Sequence, residues 1–411
     1  MSNEPSQLIP AERALEIVLG DAIANGVEHV TLQEANGRVL GEDLASRRTQ
    51  PPFDASAMDG YAVQQQDLDT LPSSLKIVGH SRAGEPFGGT LKSGEAVRIF
   101  TGAVVPEGAD SIIIQENTRA DESTVTILQG IVPGKFIRKA GLDFMEGEVL
   151  LNMGDILTPY RIALAASMDH ARLCVVRKPL VSLISTGDEL VMPGETTGAG
   201  QIIASNTFGL GASIRNTGAN LLDLGIVADT REALRDALME AISKQSDLIV
   251  TTGGASVGDH DLVLPVAKEL GFEFELTKIA VRPGKPFLYG KLKVDERFIR
   301  LAGLAGNPVS SLVAYNVFVK PLIQIMGGKS PETVQMRNAV LGRDMPENDE
   351  RAEYMRATLT LGKAGELVAT AFDKQDSSML ANLVRADCLL YRPVKAAAEK
   401  AGQPCQVVII E

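Results

Sequence analysis

Four stretches of the chain gather glycines, hydroxyls and carboxylates where a strand should hand over to a helix. They are Thr186-Gly187-Asp188-Glu189, Asp229 after Gly-Ile-Val-Ala, the run from Thr251 through Gly253, Gly254, Ser256 and Gly258 to Asp261, and Gly306-Asn307-Pro308. Exposed amides and hydroxyls at a helix N-terminus make a cradle for phosphate. Glycine belongs there because a Cβ would hold the backbone away from the anion. Glu189, Asp229 and Asp261 bring carboxylates to the same loops. A carboxylate repels a phosphate unless a hard cation stands between them, and Mg²⁺ held by Glu189 and Asp261 together with phosphate oxygens resolves the conflict. Singly, each loop also reads as a tight turn or a helix cap. Three acidic or Gly-rich loops among these four, on one sheet edge, favour a site.

A basic counterpart follows at Lys278 and Arg282-Pro283-Gly284-Lys285-Pro286. Two prolines and a glycine make a stiff turn, suited to aiming a guanidinium and an ammonium at a compact oxyanion. Solvated surface charge is the equal alternative for this motif alone. The Gly-rich run lacks the Gly-Lys-Ser/Thr ending of a phosphate-binding loop, and Gly209-Leu-Gly-Ala-Ser lies inside a predicted helix rather than opening one. The histidines at 29, 80, 170 and 260 have no ligand-like spacing. No nucleophile elbow or Cys/His pair supports covalent hydrolysis. The three cysteines, Cys174, Cys388 and Cys405, read as buried free thiols of a reducing compartment.

These loops need a scaffold. From Pro179 apolar strands alternate with amphipathic helices, which predicts a doubly wound, mainly parallel α/β domain over 179–328 covered on both faces. The last helix, beginning at Val309, should be long. Before it, 51–139 is broken into short β-rich pieces (LKIVGH, AVRIF, DSIIIQE, TVTIL) and predicts an inserted β domain. The flanking 1–50 and 140–178 read as two segments of a helical connecting domain, with helices after Pro10, after Gly37 and over YRIALAASMDHA. From 329 to 411 the texture is β-rich again. The 411 residues carry a formal net charge of -12, which disfavours nucleic-acid binding because that needs a basic face. No leader pattern or membrane-spanning apolar run is read, so a cytoplasmic protein is expected.

Jointly, Pro51-Pro-Phe-Asp-Ala-Ser-Ala-Met-Asp-Gly-Tyr-Ala62, Arg98-Ile-Phe-Thr-Gly-Ala103, Ser185-Thr-Gly-Asp-Glu-Leu190, Thr252-Gly-Gly-Ala-Ser-Val-Gly258, Arg282-Pro-Gly-Lys-Pro286 and Gly306-Asn-Pro-Val-Ser310 resemble the molybdopterin molybdenumtransferases, a family that includes the C-terminal domain of gephyrin. The resemblance covers nearly the whole chain. It implies that the 329–411 region is a β barrel and that the protein is a homodimer with its cleft between the α/β domain of one subunit and the inserted domain of the other. The implied reaction takes adenylylated molybdopterin and molybdate, with Mg²⁺, to molybdenum cofactor and AMP. The implied partners are the supplying adenylyltransferase and molybdoenzyme acceptors.

Carried over by motif, Asp59, Thr101 and Asp143 line the cleft from the partner side, while Glu189, Asp229 and Asp261 serve the phosphate, AMP and Mg²⁺ region. Thr186, Gly187, Asp188, Gly253, Gly254, Ser256, Gly258, Lys278, Asn307 and Pro308 bind the organic substrate. Arg282, Lys285, Pro286, Ser310, Arg356 and Ser377 hold molybdate. Ala305 stands where the family usually has Pro, and Asp376 and Ser378 where glycines are common. A non-catalytic scaffold of the same fold is the alternative, which the acidic loops disfavour; a general Mg²⁺-dependent phosphoester hydrolase leaves Arg282-Pro-Gly-Lys-Pro286 unexplained.

Overall fold

The computed structural model describes residues 8–254, 261–330 and 336–410. The chain divides into two compact units: residues 29–36 with 42–174, and residues before 29 with 37–41 and everything from 175 onward.

In the first unit a six-stranded sheet runs in the order Ser111–Ile114, Gly60–Val63, Glu95–Ile99, Ser73–Ser81, Thr124–Ile127, Thr118–Ala120. The short apolar pieces supply its strands. Alternate side chains fill opposite faces, Tyr61, Val63 and Ile113 on one, Ala62, Val97 and Ile112 on the other. A Cβ on Gly60 would sit 1.9 Å from the Ile113 carbonyl oxygen, so only glycine lets those strands close. The helix Pro159–Ser167 starts with a proline in its first turn and the Thr158 hydroxyl accepting from Arg161 N at 3.4 Å.

The expected helix after Gly37 does not form. Gly37 has φ +74, Leu40 bridges Val175, and the Arg38 guanidinium is buried against the Val176 carbonyl and Glu28. Satisfying that buried cation fixes the segment extended.

The second unit holds a six-stranded sheet in the order Asn220–Val227, Leu180–Thr186, Leu248–Thr252, Arg297–Leu304, Pro286–Val294, Glu273–Lys278. The first four are mutually parallel. Pro286–Val294 is antiparallel to both neighbours and is absent from the sequence reading; the other five point one way. On one face Leu183, Val250 and Phe287 pack with Leu210, Ile214, Val313 and Phe318, and with Ala11, Ala14 and Val18 of the helix Ala11–Leu19. On the other, Ile184, Ile249 and Leu301 pack with Leu234, Leu238, Val263 and Val266. Each fully buried Val, Leu, Ile or Phe side chain among them contributes about 1.5–3 kcal/mol of transfer free energy.

The helix from Pro308 is interrupted. Pro308–Ala314 and Lys320–Met326 flank a π-helical turn, Tyr315–Val319, in which the Lys320 N–H donates to Tyr315 O. Pro321 has no N–H to continue the ladder, which favours the wider turn before it. Contrary to the sequence expectation, Pro308–Met326 is long and apolar enough to cross a membrane, but 78% of its apolar window is buried in the protein.

The C-terminal strands close into a barrel. Ala352–Leu361 pairs with Leu367–Ala371 and with Cys388–Arg392, Arg337–Leu341 joins Leu367–Ala371 to Pro404–Ile409, and the latter returns to Cys388–Arg392. A short strand from the α/β domain, Val281–Arg282, adds in parallel to Ala352–Leu361, Arg282 opposite Glu353.

Candidate active site

Since five strands of the α/β sheet run one way, their carboxyl ends open on one edge, where ligands of such sheets bind. That edge carries Thr186 to Glu189, Asp229, Gly253 and Gly254, Gly306 to Pro308, and Lys278. The loops are packed closely. Gly253 has φ +88, and a Cβ there would lie 2.0 Å from the Thr186 carbonyl oxygen. Thr186 Oγ1 donates to Asp229 Oδ1 at 3.2 Å, and Asp229 N donates to Asp188 Oδ1 at 3.1 Å. Glu189 folds over Gly187, where a Cβ would be 2.6 Å from its carboxylate oxygen. Asp261 is half-buried at the start of the helix Val263–Glu269. Ser256 and Gly258, like His260, lie outside the described residues.

Asn206, which the sequence reading missed, ties these loops together. Its amide nitrogen donates to Thr252 Oγ1 at 3.1 Å and to Gly306 O at 2.7 Å, while its Oδ1 is buried with no donor. It borders a small cleft of about 40 Å³ that also touches Thr186, Glu189, Gly253, Gly306 and Pro308. No spacing rule marks an Asn inside a helix as such a bridge.

The cations stand at the same edge. Lys278 pairs with Pro286 across the antiparallel strands, and Ile279 N donates to Lys285 O at 3.0 Å. Gly284 has φ +113, and its Cβ position is 3.5 Å from Ser310 O, so the stiff turn lies against the start of the Pro308 helix. Arg282 is not free: Asp349 holds it in an ion pair, with Glu353 at 3.8 Å. Lys278 and Lys285 have no ion pair among the described residues.

Arg356 is the most unusual side chain here. It is 0% exposed. One terminal nitrogen donates to Asp376 O at 2.9 Å, but Nε and the other terminal nitrogen have no acceptor. Burial pulls its pKa below the usual value, opposed by the charges of Glu353 and Asp376. The next residue, Ser377, connects it to the sheet edge, since Ser377 Oγ accepts from Asn307 Nδ2 at 3.0 Å and its carbonyl from Val309 N at 3.2 Å. The extra carboxylate of Asp376 is absorbed locally, accepting from Ser378 N at 2.8 Å and Ser378 Oγ at 2.6 Å.

In the other unit, Asp59 and Thr101 form one assembly: Asp59 Oδ1 accepts from Thr101 N and from Thr101 Oγ1, each at 2.8 Å. The backbone bond first and the hydroxyl second hold the Asp59 carboxyl below its ordinary value, with Arg98 adding to them. The Arg98 guanidinium lies 5.0 Å from the Tyr61 and Phe100 ring centres and donates to Gly60 O at 3.1 Å. Asp143 is exposed, its N–H given to Gln50 O. The cysteines are free thiols, Cys174 and Cys388 buried and Cys405 partly so. Burial pushes the Cys388 thiol up to about 12 and Cys405 to about 11.

An α/β domain with Gly-rich and acidic loops on one sheet edge, joined to a closed barrel and accompanied by a separate β unit, defines a multidomain α/β protein. Sequence comparison narrows this. Residues 9–168 match the MoeA N-terminal region (domain I and II), 182–325 a probable molybdopterin binding domain, and 338–410 the MoeA C-terminal region (domain IV). The molybdopterin molybdenumtransferase of Haemophilus influenzae is 35% identical over 92% of each chain, and that of Bacillus subtilis 33% identical over 98% of this chain and 94% of its own. A molybdopterin biosynthesis protein of Pyrococcus horikoshii superposes with a TM-score of 0.82 at 30% identity, covering 98% of this chain and 100% of its own. The chain belongs to the molybdopterin molybdenumtransferase family and is an enzyme of molybdenum cofactor biosynthesis.

Proposed function

We propose that this chain inserts molybdate into adenylylated molybdopterin and releases AMP, giving the molybdenum cofactor. The buried Arg356 carries the reading: two unpaired guanidinium donors beside Ser377 suit a tetrahedral dianion better than any protein group nearby. Lys285 and Lys278 add positive charge, and the turn packed against Ser310 holds it at a fixed place. Thr186, Asn206 and Gly253 line the phosphate end, where the missing Cβ of Gly253 lets its loop close onto the Thr186 carbonyl. Glu189 and Asp261 offer hard oxygen donors at that end, which fits Mg²⁺. Bound there, the ion supplies polarisation of the pyrophosphate oxygens. The protein's own work is positioning: molybdate is held beside the dithiolene while a molybdate oxygen or a water attacks the pyrophosphate, forming the new P–O bond as the bridging one breaks and AMP departs. The three free thiols suit a cytoplasmic, reducing setting.

AMP release from adenylylated molybdopterin, measured with and without molybdate, tests this. Release that requires molybdate is expected; release indifferent to molybdate makes the protein a phosphoester hydrolase instead.

The candidate groups divide between the two units, with Asp59, Thr101 and Asp143 in one and the sheet edge in the other. We propose that a second copy completes the site, so light scattering should give a dimer; a fully active monomer removes the shared site. Asp59→Asn should lower turnover at least about 10-fold and change the melting temperature near neutral pH only slightly, since a solvent-accessible, half-buried carboxylate adds little stability. The sign with pH follows from its lowered pKa. Stability from Asp59 is present above its ordinary value of 3.8 and is lost as pH falls through the folded value. Any small difference in melting temperature between wild type and variant should therefore be present near neutral pH and shrink as the solution is acidified. Divergence growing towards acid contradicts this.

A further inference from the structure

His29, Glu42 and Cys174 are scattered in sequence, and none belongs to the sheet-edge site. Yet an imidazole nitrogen, a carboxylate oxygen and the Cys174 sulfur all lie within 4.8 Å of one another. The arrangement follows from the fold. His29 is on the strand Val27–Thr31 and Cys174 on its partner Arg172–Val176. Glu42 enters from the segment leading to the strand Leu44–Ala45, which is itself fixed by pairing with Val149–Leu151. Three segments thus converge on one point. The sulfur is buried, whereas the imidazole and carboxylate are exposed. They border an open cavity of about 570 Å³ whose wall also carries Asp43, Glu146, Arg47 and Arg172. With Glu42 that is three carboxylates against two guanidiniums, a surplus of negative charge favouring a cation. Arg172 donates to the His29 carbonyl at 2.6 Å, which steadies the backbone carrying the imidazole.

We propose that His29, Glu42 and Cys174 form a binding site for a borderline divalent transition-metal ion, Zn²⁺ foremost. One nitrogen, one oxygen and one sulfur are the donors Zn²⁺ takes together, and the exposed side leaves a fourth position for water. Hard Mg²⁺ is a poor match because it rejects sulfur and demands octahedral oxygen. Binding converts the Cys174 thiol to a thiolate, its proton passing to solvent. The ion would staple the paired strands to the Glu42 segment, so its effect is on the stability of this unit. The inference stands independently of the reaction proposed above.

The test uses the full-length protein stripped of metal and titrated with Co²⁺, whose bond to a thiolate gives a charge-transfer absorption. One Co²⁺ per chain with that band is expected, displaced by Zn²⁺ and not by excess Mg²⁺. The band should persist in a Cys388→Ala, Cys405→Ala double variant and vanish in Cys174→Ala. His29→Ala, an exposed change that leaves the core intact, and Glu42→Gln should each weaken affinity at least about 10-fold. Zn²⁺ should also raise the melting temperature of the wild type and not of Cys174→Ala. No thiolate band, a band surviving in Cys174→Ala, or unchanged affinity in His29→Ala would overturn the proposal.

Discussion

Arg356→Met is expected to raise the melting temperature while removing most of the activity. Arg356 is fully buried, and two of its N–H-bearing nitrogens find no acceptor. Desolvation of that cation is only partly offset by one hydrogen bond and by the charges of Glu353 and Asp376. Replacing a buried cation that has no ion pair among the described residues by an apolar side chain of similar volume removes that desolvation cost. A residue kept solely for the fold would show the reverse. Activity should fall because charge-assisted hydrogen bonds to an oxyanion are worth about 1.5–3 kcal/mol, or roughly 10- to 100-fold in the molybdate concentration giving half activity. Calorimetry and a molybdate titration read the two effects separately. A variant that loses stability and keeps its molybdate response would make Arg356 a structural cation.

The second large effect separates the cations from the carboxylates. Lys285→Ala combined with Lys278→Ala should raise the molybdate requirement at least about 10-fold, since these ammonium groups lack a carboxylate partner among the described residues. Arg282→Ala should change it less, because Asp349 and Glu353 already engage that guanidinium. Glu189→Gln should instead raise the Mg²⁺ concentration needed for half activity by about 10-fold or more, with the molybdate response kept. Separate titrations of molybdate and Mg²⁺ against each variant check the division. If the lysine variant loses affinity for the pterin substrate alone, the turn binds the organic phosphate.

The sequence reading succeeds where one physical signal dominates. Leu180–Thr186 and Leu248–Thr252 are buried on both faces and read as continuous apolar runs ending in Gly-rich loops, so the sheet edge was legible. Pro286–Val294 was not, because it opens on the second proline of a motif already read as a turn, and its later residues alternate with lysines. The helix expected after Gly37 shows the opposite failure: local pattern allows it, but burying Arg38 against Val176 requires an extended chain. The interruption before Pro321 follows from one missing donor and was within reach. Contacts such as Asn206 to Gly306, or His29 to Cys174, depend on how distant segments converge, which no spacing encodes.

The strand Val281–Arg282 is hydrogen-bonded into the barrel, while Pro286–Val294 belongs to the α/β sheet. Only the residues between them separate the two memberships, and those residues are the turn that presents Lys285. A thermal fluctuation that opens the barrel therefore drags the turn with it. Native-state amide exchange should find the Val281 and Arg282 region opening together with Ala352–Leu361, so the persistence of the proposed anion site would follow the opening of the barrel strands. Mutations deep in the barrel, far from any bound group, would then act as activity mutations whose severity tracks the opening free energy of the barrel.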